Sequence, residues 1–310
     1  MRLTIFTPAY NRADLIPRLY ESLCRQTNLA FEWLIIDDGS TDGTQSVVEK
    51  MRQDNVGSFP IRYYKKENGG KHTAINLGVK KAAGELFFIV DTDDIITPDA
   101  VETILSDWST VRDQGLCGIS YLRGDMRNPA KSLGHHYAED RFVGNYIHVR
   151  YNRGVSGEDH AEVFLTSCLA AHPFTEYAGE RFMSEAMVWI RLGREHDMLF
   201  VNKTIYLAEY IAGGLTLAGK ALRFRCPRGG IEGSLETMSD DFTLAIRLKQ
   251  TLLYIVYARF AKVPFHDLFV PQSAMNKQQA KRVSHFKLLV GMCYIPGILL
   301  YRFWKRKYNL

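Results

Sequence analysis

The sequence predicts an α/β fold with a doubly wound, mostly parallel sheet flanked by helices and a C-terminal helical appendage. Three observations carry this. Strand-length apolar runs alternate with helix-spaced segments over the first hundred residues. One run, Leu86–Val90, is continuously apolar, which suits a strand buried on both faces. Two predicted strands end in acids, Asp37-Asp38 and Asp91-Thr92-Asp93-Asp94. Carboxylates cannot stay unpaired in an apolar interior, so both sets must emerge at the carboxyl edge of the sheet, where open α/β sheets place ligands.

Taken in order, Leu3–Pro8 reads as a first strand ending in a loop, and Ala13–Cys24 as a helix with Leu15, Ile16, Leu19 and Leu23 at helical spacing. Phe31–Ile36 is a second strand, followed by the Gly39–Asp42 turn and a capped helix through Met51. Ile61–Tyr64 is a short third strand. Glu67–Lys71 is a turn into a helix over His72–Ala82, which Gly84 is expected to close before the fourth strand. Asp91 and Asp93 are two apart and Asp94 follows at once. Their carboxylates would repel unless a hard divalent cation joined them, and such a cation also binds phosphate oxygens. For Asp94 and Thr97 the expected role is the cap of a helix with Pro98 at its first position. A dinucleotide-binding fold would need Gly-x-Gly-x-x-Gly after the first strand, and no glycine occurs before Gly39.

Composition sets outer bounds. The 310 residues suffice for one large domain with an appendage, or for two domains, and 46% hydrophobic with 24% charged content is ordinary for a globular protein. Five scattered cysteines, never Cys-x-x-Cys, argue against a disulfide framework or zinc site and for a reducing compartment. No apolar segment at the start resembles a signal peptide. The net charge of +5 is unevenly spread. From residue 268 onward there are eight Lys or Arg and no acid, which leaves 31 basic against 34 acidic residues elsewhere. The tail, and not the body, is therefore expected to meet an anionic partner.

Four motifs, in order and spacing, resemble glycosyltransferase family 2. They are Thr7–Arg12, Ile36–Asp42, Asn68-Gly69-Gly70 with Ala74–Gly78, and Ala83-Gly84-Glu85 with Asp91–Asp94. The likeness covers roughly the first hundred residues closely. It implies a GT-A fold, a nucleotide-sugar donor, a divalent metal (Mn2+ or Mg2+) and an inverting mechanism. Carried over by position, Asp38 would bond the base of the nucleotide, and Thr7, Pro8, Tyr10 and Arg12 would line the same pocket. Asp91 would sit near the ribose and Asp93 would hold the metal. Gly70, Asn76 and Thr92 fall on the same motifs and count as donor-binding positions. Residues 1–225 form the expected transferase domain and 226–310 a basic, membrane-associated helical region.

Beyond Pro98 the pattern weakens. Ala100–Arg112 reads as a helix, Gly118–Leu122 as a strand, and residues 123–158 as a polar loop region over the site. His135-His136 is not expected to bind metal, because adjacent strand residues point apart. Gly179–Trp189 resembles the acceptor-side helix of the family, whose usual acid pair is Glu-Asp; here it is Ser184-Glu185. Glu185 is the expected general base and Asp159 the alternative. Phe200–Tyr210 reads as one or two edge strands. Lys220, Arg223, Arg225 and Arg228 could meet a donor diphosphate, an acceptor phosphate or only solvent. Two apolar helices follow, Thr243–Phe260 and Phe286–Trp304, the second expected to bend or break at Pro296-Gly297. Its uncharged run of 14 residues, Leu288–Tyr301, is short for a span and is expected to lie at a membrane surface, or else to complete a core or a homodimer.

The expected activity is transfer of a sugar, with UDP as the leading donor nucleotide, to a saccharide or lipid-linked acceptor at the inner face of the cell membrane. No nucleic-acid partner is expected. The rivals are a sugar nucleotidyltransferase, which would want a glycine-rich basic loop after the first strand, and a non-catalytic donor-binding or scaffold protein, which the Ser184-Glu185 departure keeps open.

Overall fold

The computed structural model describes residues 2–55, 59–152, 160–209, 221–270 and 282–310. The chain divides into two compact units, Met1–Phe174 with Leu192–Ala212, and Thr175–Arg191 with Gly213–Leu310.

The first unit opens with β1 (Leu3–Ala9), α1 (Ile16–Cys24), β2 (Phe31–Asp37), α2 (Thr44–Asp54), β3 (Ile61–Lys65), α3 (Lys71–Lys81) and β4 (Leu86–Ile89). It continues with β5 (Ile95–Ile96), α4 (Ala100–Val111), β6 (Gly118–Asp125), β7 (Asn128–Ser132) and β8 (Phe142–Gly144), then β9 (His160–Leu165), α5 (Thr166–Ala171), the end of α6 (Ala186–Glu195) and β10 (Met198–Ala208). One sheet runs in the order β3-β2-β1-β4-β9-β6-β10-β5, with β7 on β6 and β8 on β10. The first four strands are mutually parallel. The strand β9 enters antiparallel to both β4 and β6, and β10 is parallel to β6.

Alternation along β1 explains the layers. Leu3 and Ile5 join a core with Ile16 and Leu19 of α1, Val48 of α2 and Ile104 of α4. Phe6 turns to the opposite face, where it stacks on Phe87 and meets Gly78 of α3. A Cβ at Gly78 would lie 2.3 Å from the Phe6 ring, so glycine is what lets α3 approach the sheet. Burial of the continuous run is complete at Leu86, Phe87 and Phe88, as its composition requires.

Several boundaries differ from expectation, each for a local reason. The helix α1 starts at Ile16, because Asn11 takes a left-handed conformation (φ 52°) and Arg12 closes a turn onto Leu15 and Ile16. Gly84 does not close α3, whose cap is Ala82. A Cβ on Gly84 would stand 2.4 Å from the Thr4 amide nitrogen, so its role is close passage under β1. Neither Asp94 nor Thr97 caps α4: the preceding residue is Asp99, with no capping side chain, and Asp94 bonds Tyr206 instead. Residues 123–152 are not one loop but carry β7, β8 and a short π-helix at His148–Asn152. The predicted edge strands are the single strand β10, flanked by β6 on one side and by β5 and β8 on the other.

The second unit contains α7 (Pro227–Thr237), α8 (Leu244–Phe260) and α9 (Phe286–Lys307). Leu235, Tyr254, Ile255, Phe286, Val290 and Cys293 share its core. Pro296-Gly297 does not break α9, which runs 22 residues without interruption. By length and composition alone the helix would suffice to cross a membrane.

Candidate functional site

Register places the site. Ala9 of β1 is level with Asp37 of β2, and Phe6 is level with Ile89 of β4. The segments that follow these strands, Tyr10–Arg12, Asp38–Asp42 and Asp91–Asp94, therefore leave the sheet side by side at its carboxyl edge.

The first two segments lock each other. Asn11 donates its amide to Ser40 Oγ (2.9 Å) and accepts the Thr41 amide on Oδ1 (2.8 Å). The Arg12 amide donates to Thr44 Oγ1 (3.0 Å). Tyr10 projects into solvent, 46% exposed, and Arg12 is half-buried. Pro8 is half-buried at the strand end. Thr7 is fully buried, and its hydroxyl accepts the Trp33 indole N–H (2.9 Å).

Asp38 is 4% exposed and its carboxylate is saturated. Oδ1 accepts from Lys66 Nζ (2.7 Å) and the Gly69 amide (2.9 Å), and Oδ2 from the Gly70 amide (2.7 Å). Gly70 precedes α3 at φ 95°, ψ 160°, a region almost closed to other residues. Asp38 thus fixes the turn that opens α3. Asn76 on that helix clamps Phe174, donating to its carbonyl and accepting its amide, both at 2.9 Å.

At the end of β4, Lys71 from the first turn of α3 pairs with both oxygens of Asp91 (2.7 and 2.9 Å). Burial alone would raise the Asp91 carboxyl, but Lys71, with Arg123 and Arg12 behind it, holds it below the ordinary carboxylate range. Asp93 is raised by burial and by the charge on Asp91. Burial and Asp91 push Asp94 up to about 7, against the Tyr206 hydroxyl and Arg123. Tyr206 ties this turn together: it accepts the Asp91 amide (3.1 Å) and donates to Asp94 Oδ2 (2.5 Å). Arg123 stacks 4.1 Å above its ring. Arg18 grips the Asp93 carbonyl and pairs with Glu209 (2.8 Å). Thr92 is buried within the turn.

No side chain of another described residue bonds the Asp93 carboxylate. Nor do the described residues contain a group of three His, Cys, Asp or Glu able to hold a metal by themselves. A cation held by one or two carboxylates and completed by phosphate oxygens needs no such group. Lys71 engages both oxygens of Asp91, so within this turn the Asp93 carboxylate is the donor left for such a cation.

Glu185 lies in the second unit, immediately before α6, where its carbonyl accepts the Val188 amide (3.0 Å). Asp159, Lys220 and Tyr210 lie outside the described residues. Sequence reasoning missed Lys66, Lys71, Arg18, Arg123 and Tyr206. Lys71, directly after Gly69-Gly70, had a local signal, whereas Tyr206 arrives from a strand more than a hundred residues away.

Paired acids at the carboxyl edge, with a glycine turn opening the following helix, stand where open α/β sheets bind their ligands. The sequence model described as "Glycosyl transferase family 2" matches residues 4–168. The chain therefore belongs to glycosyltransferase family 2. It is 37% identical to a chondroitin synthase of Pasteurella multocida over 131 residues, which are 42% of this chain and 13% of that protein. It is 35% identical to the glycosyltransferase GlyG of Streptococcus pneumoniae over 146 residues, 46% of this chain and 42% of that protein. The chain thus matches less than half the length of these relatives. Among solved structures, S. aureus TarS 1-349 in complex with UDP-GlcNAc superposes with a TM-score of 0.65 at 18% identity, covering 100% of this chain and 92% of that one. The mannosyltransferase PcManGT of Pyrobaculum calidifontis, in complex with GDP-Man and Mn2+, gives 0.56 at 17% identity, covering 99% and 84%. These likenesses establish the GT-A fold.

Proposed function

We propose that the protein is an inverting glycosyltransferase moving a sugar from a nucleotide-diphosphate donor, with UDP as the leading nucleotide, to a hydroxyl of a saccharide or lipid-linked acceptor in surface-polysaccharide assembly. The carrying observation is the Asp91–Asp94 turn, where buried strand β4 delivers three carboxylates beside the ends of β1 and β2. Support comes from the polysaccharide-synthase relative and from the UDP-GlcNAc carried by TarS.

In this reading Asp38 acts on the base side of the donor, within the frame that Lys66, Gly69 and Gly70 hold rigid. Tyr10 and Arg12 flank it. Asp91, kept ionised by Lys71, serves the ribose side. A divalent cation on Asp93 would neutralise the charge of the leaving diphosphate. Glu185 is assigned the proton of the attacking hydroxyl, with Asp159 as the alternative. A single in-line displacement inverts the anomeric centre: the acceptor oxygen bonds to C1, the diphosphate leaves with the C1–O electrons, and the proton passes to the base.

The test is a donor panel on the purified chain, reading thermal shift and transfer with UDP-, GDP- and dTDP-sugars, with and without manganese. The expected result is protection by one nucleotide class and metal-dependent transfer. Asp93→Asn should abolish transfer while leaving the melting temperature unchanged or raised. Glu185→Gln should slow turnover by about 10²–10⁴-fold with donor affinity kept. Wild-type turnover in Asp93→Asn would refute the metal assignment. If Asp159→Asn shows the loss and Glu185→Gln does not, Asp159 is the base.

A further inference from the structure

Five of the eleven exposed large apolar side chains among the described residues sit on one helix: Leu288, Met292, Ile295, Leu299 and Phe303 of α9, each 58–70% exposed. At about 100° per residue they fall within a stripe roughly 80° wide, running about 22 Å along the helix. The opposite face is occupied. Phe286, Val290 and Cys293 belong to the core of the second unit, and Gly297 packs so closely that a Cβ there would lie 2.8 Å from Ile255 of α8. A fixed helix with a bare apolar stripe of this length marks an interaction surface.

Charge decides what covers it. The helix carries Lys287, Arg302, Lys305, Arg306 and Lys307 and no acid, and the sequence contains none after Asp267. On the same wheel Arg302 and Arg306 continue the stripe toward the C-terminus. Lys287 and Lys305 border it on one side and Lys307 on the other. A second copy laid against this face would set cation against cation in either direction, with no carboxylate on the helix to relieve it. An anionic bilayer suits it: apolar side chains enter the acyl boundary while the basic ones reach the head groups. A spanning arrangement would require α9 to abandon its packing on α8.

We propose that α9 is a monotopic membrane anchor, lying in the plane of an anionic bilayer with Leu288, Met292, Ile295, Leu299 and Phe303 inserted. This does not depend on the glycosyl-transfer reading. The test is co-sedimentation of the full chain with vesicles of mixed phosphatidylglycerol and phosphatidylcholine, and with pure phosphatidylcholine vesicles. Wild type should bind the anionic vesicles and be released by high salt or alkaline carbonate. The Arg302→Gln/Lys305→Gln/Arg306→Gln variant should lose binding on the order of 10²-fold, about 5-fold per charge. The Met292→Gln/Ile295→Gln/Leu299→Gln variant should also lose it. All six side chains point outward, so both variants should keep the wild-type melting temperature, and a charge variant that melts normally keeps the test decisive if the apolar one does not. Equal binding to neutral vesicles, or binding unchanged by either variant, would overturn the proposal. So would a wild-type dimer that the apolar variant converts to monomer without lipid, or retention through carbonate.

Discussion

Glu32 is the clearest case of a residue whose role is set by its partners. It sits in β2, 1% exposed, on a strand otherwise apolar from Phe31 to Ile36. Oε1 accepts from the Thr4 hydroxyl (2.7 Å) and the Ala83 amide (2.6 Å), and Oε2 from Arg62 (2.8 Å). Burial would raise its pKa, but these three bonds outweigh it and the carboxyl ends lower than usual. A depressed folded value means that the stabilisation is complete above the ordinary carboxylate range and is lost as pH falls through the folded value. Glu32→Gln keeps the volume but cannot satisfy all three donors. We expect a loss of about 2 kcal/mol at pH 7, shrinking toward zero in acid as the wild-type carboxylate protonates. Chemical unfolding of both proteins across pH reads the gap, and a gap independent of pH would contradict the ionised role.

Among elements, the turn from β3 into α3 carries more of the site than its sequence advertises. Asn68-Gly69-Gly70 signals a turn, and Asp38 signals a charge at a strand end. Their mutual bonding is long-range and has no local signature. Gly70→Ala tests the join. The residue at φ 95°, ψ 160° would be strained by about 1–3 kcal/mol, and relief would pull the Gly70 amide away from Asp38 Oδ2. Expected outcomes are a lower melting temperature and weaker nucleotide protection, both read by calorimetry with and without donor. Unchanged donor affinity would show that the Asp38 frame is irrelevant to binding. The same contrast explains which elements were legible. The strands β1, β2 and β4 are continuous apolar or nearly apolar runs, and acids that cannot be buried mark their ends. The strand β7 reads Asn-Pro-Ala-Lys-Ser and is largely exposed, so only its pairing with β6 makes it a strand. Asp94 looked like a cap because its bonding partner, Tyr206, lies 112 residues away. The Lys71 partner of Asp91 could have been suspected, since a lysine in the first turn of the helix opened by Gly70 lies beside the strand ends.

Across the whole molecule the two compact units have separate apolar cores, one around the sheet and one among α7, α8 and α9. The residues assigned to the donor nucleotide, from Thr7 to Asp93, all belong to the first. Stability defects and binding defects should therefore separate according to which core is struck. Gly297→Val adds a branched side chain where even a Cβ would stand 2.8 Å from Ile255, so α9 must shift from α8. Overpacking of this kind costs about 1–3 kcal/mol. Asp38→Asn removes the carboxylate that Lys66 pairs with and leaves an amide facing two backbone N–H groups, at a cost of about 3 kcal/mol. Both variants should melt early. Only Asp38→Asn should lose donor affinity, whereas Gly297→Val, titrated with nucleotide well below its own transition, should bind within about twofold of wild type, a difference of roughly 0.4 kcal/mol. If Gly297→Val instead loses nucleotide binding while still folded, the donor residues depend on the helical core, and the assignment of donor handling to the first unit alone fails.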